Sequence, residues 1–155
     1  MIKKFSAVVL IIFSVISLVV GAIYIWQGAS KYSQITSMAA EEKVQIGMTE
    51  EQIKSGDVVD NMSEMQKAAD TIREHRRGIA KTYEELLGTS KFDPTNPKHA
   101  TYAQAINLEN YLYVGMLSLG VSLSMIGIGL FMVMMAIAML LTGLAFLPEK
   151  TKKTA

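Results

Sequence analysis

The sequence predicts an all-α membrane protein with two transmembrane helices, the second long and extending outside the bilayer, and a mostly helical extracytoplasmic segment between them. Two observations support this class. Residues 5–30 and 110–148 contain no charged side chain, whereas the stretch between them carries nearly all of the acidic groups. Half of the 155 residues are hydrophobic and the mean hydropathy is +0.28, so the chain is too apolar for an ordinary soluble domain.

The first apolar run, residues 5–26, would rise about 33 Å as a helix, which is enough to cross a hydrocarbon core. Tyr24 and Trp26 then fall where an aromatic belt is expected. Lys3, Lys4 and the small residues 28–30 also fit a cleaved signal peptide. Because the apolar run exceeds the length of a signal-peptide core, we expect a retained membrane anchor.

The second apolar run, residues 111–147, is too long for one upright span and too short for two comfortable spans with a turn. We expect one long helix that starts outside the membrane and enters it partway along. The alternative is a helix broken near Gly127 and Gly129, which would be re-entrant or would make a third span. The three-span form would place the C-terminus outside.

Lysines next to the two runs predict the orientation. Lys3 and Lys4 precede the first run, and Lys150, Lys152 and Lys153 follow the second, so the positive-inside rule places both ends in the cytoplasm. Bases in the central segment count weakly, because that segment is longer than about 60 residues. In a multi-pass protein of the cytoplasmic membrane, the predicted order is cytoplasmic tail 1–4, span 5–26, extracytoplasmic segment 27–110, span 111–147 and cytoplasmic tail 148–155.

Small residues recur every seventh position in both runs. Gly115, Ser122, Gly129, Ala136 and Gly143 form one stripe, and Ala7, Ser14, Gly21 and Gly28 form another. Helices in lipid associate through close backbone approach at such residues. The stripes therefore predict helix-packing positions, although Gly, Ala and Ser are common in spans and the shorter stripe also fits chance. The predicted packing residues are Ser14, Ser17, Gly21, Gly28, Gly115, Ser118, Ser122, Gly129, Ala136 and Gly143.

The first part of the central segment contains weak local signals. Residues 43–46 alternate like a short strand. Thr49, with Gln52 three positions later, indicates a brief capped helix that Ser55 and Gly56 would end.

A stronger helix signal begins at Asn61. Asn61 fits an N-cap with Glu64 at the third helical position, and apolar residues follow at spacings of mostly three and four. The pattern predicts one amphipathic helix ending at Gly88, or two helices separated at Gly78. Arg76 interrupts the apolar stripe.

The start of the second long helix is marked by prolines. Asp93 and Asn96 each precede a proline suited to the first helical position, so one of them should begin this helix. Apolar and aromatic residues between Ala100 and Tyr113 would then give the amphipathic helix a surface for docking.

No residue pattern predicts a catalytic, metal or cofactor site. The chain has no cysteine, and the spacing of His75 and His99 imposes no ligand geometry, so capping or solvated histidines are expected. The bases Arg73, Arg76, Arg77 and Lys81 fit a lipid-headgroup site, but nearby Glu74, Glu84 and Glu85 favour a self-neutralised face. A net charge of +1 argues against a nucleic-acid partner. Spans with no ionisable group other than tyrosine disfavour a pump.

Part of the chain resembles a family of small two-span membrane proteins, mainly from actinobacteria. The resemblance covers residues 69–132 and depends on Lys81–Leu86 (KTYEEL), Asp93–Pro94 and Leu119–Val121. It implies the two-span topology and leaves the function open. The family is often labelled automatically as an aromatic ring-opening dioxygenase. A non-haem iron site of that kind needs two histidines and a carboxylate in a folded pocket, which this sequence does not indicate.

These observations favour a non-enzymatic accessory or scaffold subunit of a membrane assembly. Its expected partners are the lipid bilayer and other membrane-protein subunits or a second copy of itself, without a cofactor. An extracytoplasmic sensing or ligand-binding module is the alternative, and it would need a pocket with convergent polar groups. A homo-oligomeric pore would need a polar stripe facing a lumen.

Overall fold

The computed structural model describes residues 2–147, with side chains from residue 4 onward. Its helices are α1 (Ile2–Glu41), α2 (Glu50–Lys54), α3 (Met62–Ile79), α4 (Tyr83–Leu87) and α5 (Pro97–Ala145). The described part of the chain contains no strand, so the all-helical prediction is confirmed. The predicted tail 148–155, with Lys150, Lys152 and Lys153, and the side chain of Lys3 lie outside the described residues.

By length and composition, α1 and α5 are each able to cross a membrane. They contain 40 and 49 residues, which correspond to about 60 and 74 Å of helix against a hydrocarbon core of about 30 Å. Both helices therefore continue well beyond the predicted spans 5–26 and 111–147. Because α5 is unbroken through Gly127 and Gly129, the broken-helix alternative is wrong.

The chain divides into two compact units. Unit 1 combines Met1–Ser30 with Ser122–Ala155, and unit 2 is Lys31–Val121. In its described part, unit 1 consists of segments of α1 and α5. Unit 2 contains the ends of these two helices together with α2, α3 and α4.

Local capping explains where the short helices of unit 2 begin. Thr49 and Gln52 form a reciprocal capping box at α2, and the Asn61 side chain accepts a hydrogen bond from the Glu64 N–H at α3. These two predicted starts are confirmed. Residues 43–46 form no strand, since only one backbone bond, from Val59 N–H to the carbonyl oxygen of Val44 at 2.9 Å, pairs this stretch with another.

The amphipathic region is two helices, as the second sequence-based alternative proposed. The interruption lies at residues 80–82 rather than at Gly78, which is inside α3. Thr82 accepts from the Glu85 N–H at 3.1 Å, while the Glu85 carboxylate accepts from the Lys81 N–H at 2.9 Å. This new N-cap begins α4 and explains why α3 does not continue.

The second long helix begins at Pro97, directly after Asn96, which is one of the two predicted starting positions. Asn96 Oδ1 accepts from the Lys98 N–H at 3.0 Å, and Pro97 takes the first helical position, where its missing N–H costs nothing. Farther along, α3 packs against α5 as expected. The buried core of unit 2 contains Ala39, Val59, Met65, Ala68, Ala69, Ile72, Leu112 and Leu119.

Candidate functional site

Two small-residue stripes pack against each other inside unit 1. We call this contact the seam, formed by Ala7, Ser14, Gly21 and Gly28 of α1 and Ser122, Gly129, Ala136 and Gly143 of α5. All eight residues are buried, and no other described residue of unit 1 is. For four of the five residues of the predicted α5 stripe, the partner helix is therefore the chain's own α1.

Backbone contact at the seam leaves no room for side chains. A Cβ added to Gly21 would lie 2.8 Å from the carbonyl oxygen of Gly129, and one added to Gly129 would lie 2.7 Å from that of Gly21. The latter would also lie 2.9 Å from the Ile25 nitrogen. Such separations are shorter than real Cβ contacts, so glycine is required on both helices at this crossing.

The same close approach recurs at seven-residue intervals. A Cβ on Gly28 would lie 2.8 Å from the carbonyl oxygen of Ser122, and one on Gly143 would lie 3.2 Å from that of Ala7. The residue numbers in each contact, including Gly21 with Gly129, add to 150. The two helix segments therefore run antiparallel in one register, which places Ser14 opposite Ala136.

Ser17 adds a polar contact beside the seam. Its hydroxyl donates to the carbonyl oxygen of Met132 on the opposite helix at 2.9 Å. A hydrogen bond between helices in lipid contributes about 0.6–2 kcal/mol. Ser17 thus takes part in helix packing through its hydroxyl.

Gly115 and Ser118 lie in unit 2, not in the seam. A Cβ on Gly115 would lie 3.1 Å from the Met65 sulfur, so this glycine accommodates α3. The Ser118 hydroxyl donates to the Val114 carbonyl within α5 at 2.7 Å. One heptad pattern along α5 therefore serves two different partners.

Large apolar side chains cover the outside of unit 1. The exposed fractions are 57% for Phe13, 58% for Phe131 and 63% for Leu141, although water-soluble helices bury most such residues. The exposed set includes Val8, Ile12, Phe13, Val15, Ile16, Leu18, Val19 and Ile23 of α1 and Leu123, Ile128, Leu130, Phe131, Met134, Met135, Ile137 and Leu141 of α5.

An ion pair joins α3 to α5 in unit 2. Arg76 Nε donates to Glu109 at 2.9 Å, and Arg76 Nη1 donates to the Tyr102 hydroxyl at 2.7 Å. The guanidinium also lies 5.1 Å from the centre of the Tyr102 ring. Only 13% of the Arg76 side chain and 10% of the Glu109 side chain are exposed. The hydrogen bond to Glu109 raises the pKa of Arg76, although burial opposes this shift.

Asp70, Arg73 and Tyr113 form a second contact between the same helices. Arg73 pairs with Asp70, the Tyr113 hydroxyl donates to Asp70 at 3.2 Å, and Arg73 lies 5.6 Å from the Tyr113 ring centre. The expected neutralisation by Glu74, Glu84 and Glu85 is therefore wrong for Arg73 and Arg76, whose partners are Asp70 and Glu109. Sequence reasoning missed Glu109, which is the last charged residue before the apolar run and follows Tyr102 by two helical turns.

A polar cleft of about 350 Å³ lies beside the start of α5. It is lined by Ile79, Ala80, Glu85, Leu86, Ser90, Asn96, Lys98 and His99. His99 is only 6% exposed, and its Nδ1 accepts from the Asp93 N–H at 3.0 Å. The ring also stacks on Phe92 at 5.6 Å, so His99 caps a turn, as one of its expected roles.

Asp93 organises the same turn. The hydroxyl and the backbone N–H of Thr95 donate to the Asp93 carboxylate at 2.7 and 2.8 Å. These bonds lower the pKa of Asp93.

His75 is exposed and lines a different, shallow cleft with Ile46, Ile72 and Thr101. Within residues 2–147, no three His, Asp or Glu side chains are grouped so that they could hold a metal ion.

No protein-family model, curated protein or solved structure matches the chain.

Proposed function

We propose that this chain is a non-enzymatic accessory or scaffold protein of the cytoplasmic membrane. Its two spans form a hairpin anchor, and its central segment presents a helical surface outside the cytoplasm. The observation that carries the proposal is the seam: unit 1 buries small residues and exposes large apolar ones.

This arrangement suits lipid and not water. In water, burial of large apolar side chains drives helices together, at about 25 cal/mol per Å². Lipid tails remove that drive, so association depends on close packing and hydrogen bonds between helices. The seam supplies close backbone contact, and the outward Phe, Leu, Ile and Val side chains supply the surface that acyl chains solvate.

The pairing of α1 with α5 within the chain determines which surfaces are left to contact another protein. Because the seam is filled by the chain's own α1, another subunit or a second copy would contact the outer face of unit 1 or the helices of unit 2. The proposed partners are therefore the lipid bilayer and membrane subunits that pack on those faces.

The polar groups of unit 2 support a structural role. Arg76 and Glu109 form an ion pair between helices, and the Asp93 carboxylate accepts two hydrogen bonds from Thr95. These groups stabilise turns and helix contacts rather than aligning a nucleophile with a base. We therefore propose that the chain does not catalyse a reaction.

Membrane insertion and topology are tested together by cysteine labelling, because the natural chain has no cysteine. Single variants Glu50→Cys and Lys152→Cys are expressed in intact cells and treated with an impermeant maleimide. We expect labelling at position 50 without permeabilisation and at position 152 only after it, with the protein resisting carbonate extraction. Extraction into the soluble fraction would contradict the anchor, and external labelling at position 152 would contradict the orientation.

A further inference from the structure

The buried His99 ring holds one nitrogen in a hydrogen bond to the protein, and the residue lines the polar cleft. Since Nδ1 accepts the Asp93 N–H, the neutral ring carries its proton on Nε2. That N–H has no partner among the described residues. Every fully buried side-chain nitrogen or oxygen in the described part of the chain does have one, so Nε2 is not fully buried. We take the cleft that His99 lines as the place where it meets a ligand.

Two opposite charges line the same cleft. Glu85 uses one carboxylate oxygen to accept from the Lys81 N–H, which leaves its second oxygen without a protein partner among the described residues. The Lys98 ammonium likewise has no ion pair there. A ligand that is only an anion would be repelled by the Glu85 carboxylate. A ligand that is only a cation would be repelled by the Lys98 ammonium.

We propose that this cleft binds a free α-amino acid with a short aliphatic side chain. The ligand carboxylate accepts from His99 Nε2–H and pairs with Lys98, while its ammonium pairs with Glu85. Ile79, Ala80 and Leu86 line the remaining wall and contact the aliphatic side chain. At about 350 Å³, the cleft lies at the small end of the usual range for ligand sites.

This inference goes beyond anchoring and gives the central segment a ligand. It does not depend on the membrane topology, because all the residues of the cleft belong to unit 2. The cleft is mainly polar, and its hydrogen-bond donor and two opposite charges match the charged groups of an amino acid, with Ile79, Ala80 and Leu86 as a smaller apolar wall.

L-valine is the probe, used with the detergent-solubilised full chain. Its two single-charge analogues are isovalerate, which lacks the ammonium, and isobutylamine, which lacks the carboxylate. Binding is measured by calorimetry and by the ¹⁵N resonance of His99 Nε2 in histidine-labelled protein. We expect L-valine to bind with a millimolar or smaller Kd and to move the Nε2 resonance, with both analogues at least about tenfold weaker.

Matched variants separate the two charges. Glu85→Gln retains an oxygen that can cap Lys81 N–H, so it should weaken L-valine about tenfold without weakening isovalerate. Lys98→Gln should weaken L-valine and isovalerate about tenfold without weakening isobutylamine. The controls Glu84→Gln and Lys91→Gln change neighbouring exposed charges that do not line the cleft.

Three results would each overturn the inference. The first is no heat and no Nε2 shift with L-valine up to about 10 mM. The second is an analogue that binds as tightly as L-valine, which would indicate a simple ion site. The third is equal weakening by a control variant and its matched cleft variant.

Discussion

Units 1 and 2 share the helix α5 but hold their partner helices by different means. In unit 1, glycines bring the backbones of α1 and α5 into direct contact. In unit 2, α3 is held on α5 by larger side chains such as Met65 and Leu112 and by the Arg76–Glu109 ion pair. This difference matches the surroundings proposed for each unit. In lipid, close packing of backbones holds helices together, whereas in water the burial of apolar side chains and the pairing of charges do so.

The largest expected effect comes from filling the seam. Gly129→Leu puts a side chain where even a Cβ would meet the Gly21 carbonyl oxygen at 2.7 Å. We expect the α1–α5 hairpin to lose about 3 kcal/mol or more, because the helices must separate. The measurement is an SDS titration followed by energy transfer from Trp26, the only tryptophan, to an acceptor on Leu123→Cys.

Gly127→Leu is the matched control for this experiment. Gly127 is exposed, and a Cβ added there would meet no neighbouring atom within 4 Å, so leucine should face outward without disturbing the helix pair. Equal loss of energy transfer in both variants would show that helix composition, and not the seam, determines hairpin stability.

The next effect tests charge pairing in unit 2. Arg76→Met leaves the largely buried Glu109 without its cation, and we expect the free energy of unfolding of unit 2 to fall by about 2–3 kcal/mol. Hydrogen exchange of α3 amides measures this loss. Arg77→Met, at an exposed position on the same helix, should change stability by no more than about 0.5 kcal/mol. Similar losses in both variants would contradict a specific role for the ion pair.

A smaller effect is expected at the start of α3. Asn61→Ala removes the side-chain oxygen that accepts the Glu64 N–H, which should cost about 1 kcal/mol and increase exchange in the first turn. Ser63→Ala is the control, since Ser63 is exposed within the helix and alanine is the better helix former. Loss of protection in the control alone would contradict the assigned cap.

The smallest effect is the acid response of the Asp93 turn. Since Thr95 lowers the pKa of Asp93 in the folded state, the turn is stabilised above the ordinary carboxylate pKa. That stabilisation is lost as the pH falls through the lower folded value. Thr95→Val removes the hydroxyl donor, so the Asp93 midpoint followed by NMR should rise toward about 3.9. An unchanged midpoint would show that the hydrogen bond from the Thr95 hydroxyl is not the principal cause of the lowered Asp93 pKa.

Features encoded within a few residues could be predicted from the sequence. The starts of α2, α3 and α5 depend on side chains that bond backbone groups two or three positions away, and the apolar helices depend on composition alone. The end of α3 was less accessible, because Gly78 is tolerated inside the helix while Thr82 and Glu85 create a competing cap.

Partners distant in the chain could not be assigned from periodicity. The heptad stripe of α5 contains no information on which helix fills it, so Gly115 facing Met65 and Gly129 facing Gly21 look alike in sequence. The same limit applied to Arg76, whose acidic partner Glu109 lies 33 residues away. In the sequence, the charge of Arg76 indicates only an interruption of the apolar stripe. In the structure, its ion pair with Glu109 joins α3 to α5.

The most direct test of the seam is a disulfide across it in native membranes. Ser14→Cys with Ala136→Cys joins the two buried positions that the common register places opposite each other, and a disulfide forms only between positions whose Cα atoms are within about 7 Å. Val15→Cys with Ile137→Cys joins two outward positions that are 54% and 51% exposed and serves as the control. We predict rapid intramolecular cross-linking for the first pair and none for the second, and cross-linking of the first pair only between two chains, or not at all, would contradict the seam.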